Sequence, residues 1–222
     1  MVHSQKSTPT PTMPPTDAFH DGSQHFSGGI GFPNIYKSLL INAFNTSVND
    51  YKLKNGVQGG ESFSYTASGL GPLFAKYEYG VLEHIGVGIV FGYFDAKITG
   101  THNWQEQNLS NGLTTRYYES HTTIVKSYSI GGRFNYHFGN KQRIDPYLGF
   151  AAGMSKTTVK YTVDSNSSKV LKSSDIQTTP IPLYFSTTFG LRVYMNPRFG
   201  FYTEIGFDKW SVIQGGLVYK LD

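Results

Sequence analysis

The chain contains no cysteine. Disulfides, thiolate metal sites and thiol catalysis are excluded with it. It also lacks any apolar run near the ~18 residues that a membrane-crossing helix needs. Charge is scarce, at 15% of residues against about 25% in ordinary soluble domains. The net charge of +4 is spread along the chain without a Lys/Arg block, so nucleic acid is not an expected partner. No apolar stretch typical of a signal peptide stands in residues 1–28. An exported chain would have lost its signal or would carry it upstream of Met1.

Aromatics and glycine are abundant instead, with 16 Tyr, 16 Phe and 25 Gly, at a mean hydropathy of -0.32. Few charges, many rings and no apolar run suit a β-barrel. Only alternate residues of its strands face outward, so mean hydropathy stays low. Residues 4–16 are rich in Ser, Thr and Pro. They predict a disordered leader over residues 1–24, followed by one barrel over 25–222.

Strict alternation begins near residue 26. In the clearest run, Leu183, Phe185, Thr187, Phe189, Leu191, Val193 and Met195 share one face. Tyr184, Ser186, Thr188, Gly190, Arg192 and Tyr194 share the other. A strand separates such sets because its side chains alternate with period two, and a helix would scatter them. The same reading gives strands at 26–32, 73–81, 85–93, 128–138, 147–155, 199–207 and 213–221. The expected fold is all-β: an eight-stranded antiparallel up-and-down transmembrane β-barrel.

Connections alternate in length. Those at 34–71, 100–122 and 164–178 are long. Those at 82–84, 139–144 and 196–198 are short, and a brief loop lies near 208–210. Short turns gather at one rim, which bacterial barrels keep in the periplasm. Both termini belong to that rim.

Sidedness follows from the charges. One parity of the strands carries none. The other carries Lys76, Glu78, Arg133, Arg192, Glu204 and Lys220. A soluble barrel needs a charged outer wall, and six charges make a poor one. They suit an interior ion-pair network, with Arg133–Glu204 and Glu78–Arg192 contacts expected, because an unpaired buried charge is costly. Tyr79, Tyr136, Phe138, Phe199 and Tyr219 then form an aromatic girdle at the short-turn rim. The bacterial outer membrane is the implied location, with its lipid and lipopolysaccharide as partners.

The segments KYEYGVLEHIGVGIVFGY (76–93), YSIGGRFNYHF (128–138), IDPYLGFAAG (144–153), FGLRVYMNPRFGFYTEIGF (189–207) and GGLVYKL (215–221) resemble a small outer-membrane β-barrel family of Bacteroidota. The likeness is most specific at Tyr77-Glu78-Tyr79-Gly80, Arg133-x-Asn135-Tyr136-His137 and Asp145-Pro146-Tyr147-x-Gly149. It implies the eight-stranded fold of the outer membrane protein A transmembrane domain and assembly by the barrel-assembly machinery. It implies no catalytic residues. Family members often close on an aromatic residue, whereas this chain closes on Leu221-Asp222.

Two motifs invite a chemical reading. Glu119-Ser120-His121, with His102 in the same connection, offers the residue types of a rim-located lipid A hydrolase. Neighbours on an extended strand point to opposite faces, so Ser120 and His121 do not pair if a strand continues there. The seven His show no metal spacing. No catalytic residue, metal or cofactor is assigned. The expected role is structural or surface-interacting, with any extracellular ligand taken by the long loops, where Trp104, Tyr117, Tyr118 and Tyr161 lie. A narrow pore gated by the interior charges is the alternative.

Overall fold

A computed structural model describes residues 17–55, 60–107, 110, 112–139, 142–167, 182–208 and 210–221. Nine strands and one helix follow one another along these residues. They are β1 (Gln24–Phe32), α1 (Ile35–Asn55), β2 (Ser62–Ser68), β3 (Leu73–Leu82), β4 (Ile85–Gln107), β5 (Thr114–His137), β6 (Ile144–Ser165), β7 (Leu183–Tyr194), β8 (Phe199–Asp208) and β9 (Ser211–Leu221). Eight strands close into an all-antiparallel barrel, with β4 paired to β5 and the first strand to the last. That seam runs in register from Gln24↔Leu221 to Phe32↔Ile213. All eight strands expected from alternation are present.

Tight turns fix the register at one rim. At the β7–β8 turn, Asn196 Oδ1 accepts the backbone N–H groups of Arg198 (2.9 Å) and Phe199 (2.8 Å). Alternation then sorts the side chains. Phe185, Phe189 and Val193 of β7 are exposed, while Tyr184, Ser186, Thr188 and Arg192 between them are buried. Interior glycines make room for bulky partners. A Cβ on Gly190 would lie 2.2 Å from the Tyr147 ring, and one on Gly92 2.2 Å from the Trp210 ring.

The structure departs from the sequence reading in four places. The connection 34–71 holds α1 and β2. Asn34 caps the helix, its Oδ1 accepting the N–H of Lys37 at 3.0 Å. β2 pairs with β4 outside the barrel, from Ser62↔Asn103 to Ser68↔Lys97. The region 100–122 is mostly strand, because β4 and β5 stay paired out to Gln107↔Thr114. A continuing ladder satisfies backbone groups that a loop would leave to water.

The leader boundary expected at residue 24 also shifts. Residues 1–16 lie outside the described residues, but 17–23 pack against the short-turn rim. Ala18 and Phe19 are buried, and the Phe19 ring stacks on His137 with centroids 3.5 Å apart. Finally, the described residues at the brief loop expected near 208–210 turn inward. Asp208, Trp210 and Ser211 are buried, and Trp210 packs with Phe74, Phe94 and Tyr184 in an apolar cluster at the long-loop half of the barrel. Tyr36 and Leu40 of α1 pack on that cluster from above.

Candidate functional site

Eight strands enclose a bore only wide enough for side chains to fill. Here they are charged in equal numbers. The buried ionic residues among those described are Lys76, Arg133, Arg192 and Lys220 against Glu78, Asp145, Glu204 and Asp208. β3, β5, β6, β7, β8 and β9 each point one or more of them inward by strand parity.

The six residues singled out from sequence fall into three groups. Glu204 gathers the first. Its Oε1 accepts from Arg133 Nη2 (2.8 Å) and the Tyr147 hydroxyl (2.7 Å), and its Oε2 accepts from Lys76 Nζ (2.8 Å). Lys76 Nζ also donates to Gln214 Oε1 at 2.7 Å. Glu78 gathers the second group, nearer the short-turn rim. Its Oε2 takes the Arg192 guanidinium and Asn135 Nδ2 (2.7 Å), and its Oε1 lies 2.7 Å from His137 Nε2. Asp145 completes it, 2.6 Å from His137 Nδ1 and 3.3 Å from Arg192 Nη1. Lys220 stands lower still, where its Nζ donates to the Asp17 carbonyl at 2.9 Å.

Tyr147 binds the two clusters together. Its hydroxyl holds Glu204 while the Arg192 guanidinium sits over its ring, 4.6 Å from the centroid. Each carboxylate thus has at least two donors, which is what makes a buried charge tolerable. The six sequence candidates do not include His25, His137, Asp145 or Asp208, the last assigned to a brief loop. Alternation puts His137 on the inward parity, but a count of formal charges passes over a histidine. His25 and Asp145 stand just before the assigned runs, and counting two residues back from Ser27 and Tyr147 would have found them.

The five girdle residues all lie toward the short-turn rim, with their rings on the outward face. Tyr79, Tyr136, Phe138 and Phe199 are exposed and Tyr219 is half-buried. Tyr136 meets Phe138 edge-on at 5.3 Å, and Phe199 lies 4.7 Å from Tyr219. A second set of outward rings marks the opposite end of the apolar band, with Tyr93 against Tyr128 at 4.9 Å and Phe185 against Phe207 at 5.2 Å.

The rim motif resolves by parity. Ser120 lies across from Thr101 and His121 across from Gly100, on opposite faces of the ladder. Ser120 Oγ is 3.4 Å from Thr101 Oγ1. His121 turns inward, its Nε2 2.7 Å from Glu119 Oε1 and its Nδ1 hydrogen-bonded to the Tyr161 hydroxyl. Burial, aided by Glu119, pushes that hydroxyl above its ordinary titration range. His102 Nε2 lies 2.7 Å from Glu61 Oε1, and its ring stacks on Phe63 at 4.4 Å. Among the described residues, no group of three or more His, Asp or Glu is placed to hold a metal ion.

Compared with known proteins, the chain matches no protein-family model and no curated protein.

Proposed function

We propose that this chain is a bacterial outer-membrane β-barrel with a structural or surface-interaction role, its long-loop end carrying any binding specificity. The observation that carries the reading is the inverted distribution of polarity. Met154 is 70% exposed, Leu217 59% and Phe189 50%, whereas Glu204 and Lys220 are 1% exposed. A water-soluble barrel has the opposite arrangement, and exposed apolar patches beyond a few hundred Å² mark interaction or membrane surfaces.

The dimensions agree. Tyr128 and Phe138, in the upper and lower aromatic sets, are ten residues apart. At ~3.3 Å per residue and a tilt of roughly 40°, they bracket about 25 Å of height, the thickness of the apolar band of such barrels. At or just beyond the upper set, Lys97, Lys126 and Lys156 are exposed, Lys156 directly across from Tyr128. They suit the phosphates of lipopolysaccharide. The short turns then face the periplasm, and the barrel-assembly machinery is the expected insertion partner. The likeness to the small Bacteroidota barrels supports the same reading.

The charge-filled interior argues against a conducting pore, because no water-wide path is expected through paired side chains. Ser120 and His121 on opposite faces argue against a rim hydrolase. The test is partition. Refolded in the presence of phospholipid vesicles, the chain is expected to float with them, gain strand circular dichroism and pass no ionic current. A detergent-free, monodisperse monomer that stays off vesicles would overturn the reading.

A further inference from the structure

Above the filled barrel, α1 stands off the inward face of the extended β4–β5–β6 sheet. The gap is a cavity of about 490 Å³, within the ~300–1,000 Å³ of small-molecule sites. Leu40, Phe44 and Val48 line it from the helix and Ile98 from β4. One end is polar, with Glu119, His121 and Tyr161.

We propose that this cavity binds a small amphipathic amine, its apolar body against Leu40, Phe44, Val48 and Ile98 and its ammonium on Glu119. The inference rests on the surface-interaction reading above and names a ligand class for it. Size alone does not select the ligand, but hydrogen-bond accounting does. With the imidazole Nε2–H donating to Glu119, Nδ1 becomes an acceptor and takes the Tyr161 O–H. Both ring nitrogens and the phenol proton are then consumed inside the trio. What remains for a ligand is acceptors: the second Glu119 oxygen and a Tyr161 lone pair. A donating head group fits them, and an acceptor-only head group does not.

Charge points the same way. A second carboxylate, Glu61, is held by His102, which lines the same cavity. Lys97, Lys126, Lys156 and Lys160 lie on the outward parity of the same sheet, away from it. On α1, Lys52 sits over the Phe63 ring, 5.5 Å from its centroid. An organic carboxylate would meet Glu119 with like charge, and Glu61 behind His102 would add to the repulsion. An ammonium meets the Glu119 carboxylate, with the negative charge of Glu61 behind His102 adding to the attraction.

The test uses the full chain refolded in nonionic detergent, titrated calorimetrically with tryptamine and with indole-3-acetate, which share a ring and differ in head group. Tryptamine is expected to bind at least tenfold more tightly. Glu119→Gln is expected to cost tryptamine at least tenfold and to leave indole-3-acetate unchanged or improved. Ala43→Trp, which fills the cavity from the helix side, is expected to abolish both. Equal affinities, a preference for the acid, no tryptamine binding, or indifference to Glu119→Gln would each overturn the proposal. Vesicle flotation is read separately. A chain that inserts but binds no amine sinks only this inference. One that binds the amine but stays off vesicles sinks only the membrane placement.

Discussion

The lower and upper halves of the molecule solve the interior differently. In the lower half every strand is near the 9–12 residues of β1, β3 and β7, and the bore is packed with ion pairs. In the upper half β4, β5 and β6 run on to 22–24 residues in all. The wall there opens into a sheet, and a helix replaces the missing strands. A closed ring of eight strands leaves only side-chain room, whereas an open sheet of four, β2 beside β4, β5 and β6, leaves a cavity under the helix. Closure makes a stable plug, and partial closure makes a place for a ligand.

That contrast breaks most readily at Glu204. Replacing it with Ala strands Arg133, Lys76 and the Tyr147 hydroxyl in the bore. Removing one partner of a buried pair costs about 3–5 kcal/mol, so urea unfolding of the refolded chain is expected to shift by that amount. The triple change Glu204→Leu, Arg133→Met, Lys76→Met is expected to recover most of the loss. Recovery would identify the penalty as uncompensated charge. Next comes Gly190→Ala, whose new Cβ meets the Tyr147 ring at 2.2 Å. Overpacking of that kind costs about 1–3 kcal/mol. Neither change is expected to alter tryptamine binding in the upper cavity, and a loss there would show that the halves are coupled.

The lower half was legible in the sequence because period-two alternation is a short-range signal and the charges fell on one parity. Arg133, Glu204, Glu78 and Arg192 could be paired from strand register alone. The upper half was less legible. Tyr36, Leu40, Ala43, Phe44, Val48 and Tyr51 do recur at helical spacing behind the Asn34 cap, but the long connection obscured that pattern. The strand character of 100–122 was hidden by Thr, Ser and His, whose alternation separates no apolar face. Trp210 sat in what looked like a turn, and only the folded barrel reveals its place above Gly92.

Two smaller changes sharpen the comparison from above. Asn34→Ala removes the cap on Lys37 and the Nδ2 bonds to the Gly71 and Asp95 carbonyls. Loss of such a cap costs about 1 kcal/mol. Amide exchange is expected to accelerate along α1 while the β5, β7 and β8 amides keep their protection, and tryptamine affinity is expected to fall with the helix. Uniform acceleration would mean that α1 is part of one cooperative unit with the barrel.

Ser120→Ala has the smallest expected effect, and its value lies in that. Ser120 faces outward beside Thr101, with a long 3.4 Å contact between the hydroxyls. Ser120 is half-buried and makes only this long side-chain contact, so its loss is expected to stay within about 0.5 kcal/mol and to leave unfolding in urea unchanged. A hydrolase built on this rim would need that hydroxyl beside an imidazole, yet His121 lies on the other face with both nitrogens engaged. Mass spectra of lipid A from cells with the native chain and with Ser120→Ala are therefore expected to be identical. A lipid A acyl chain that is released by the native chain and retained by the variant would mean that the outward parity, not the cavity behind it, is where the upper half does its work.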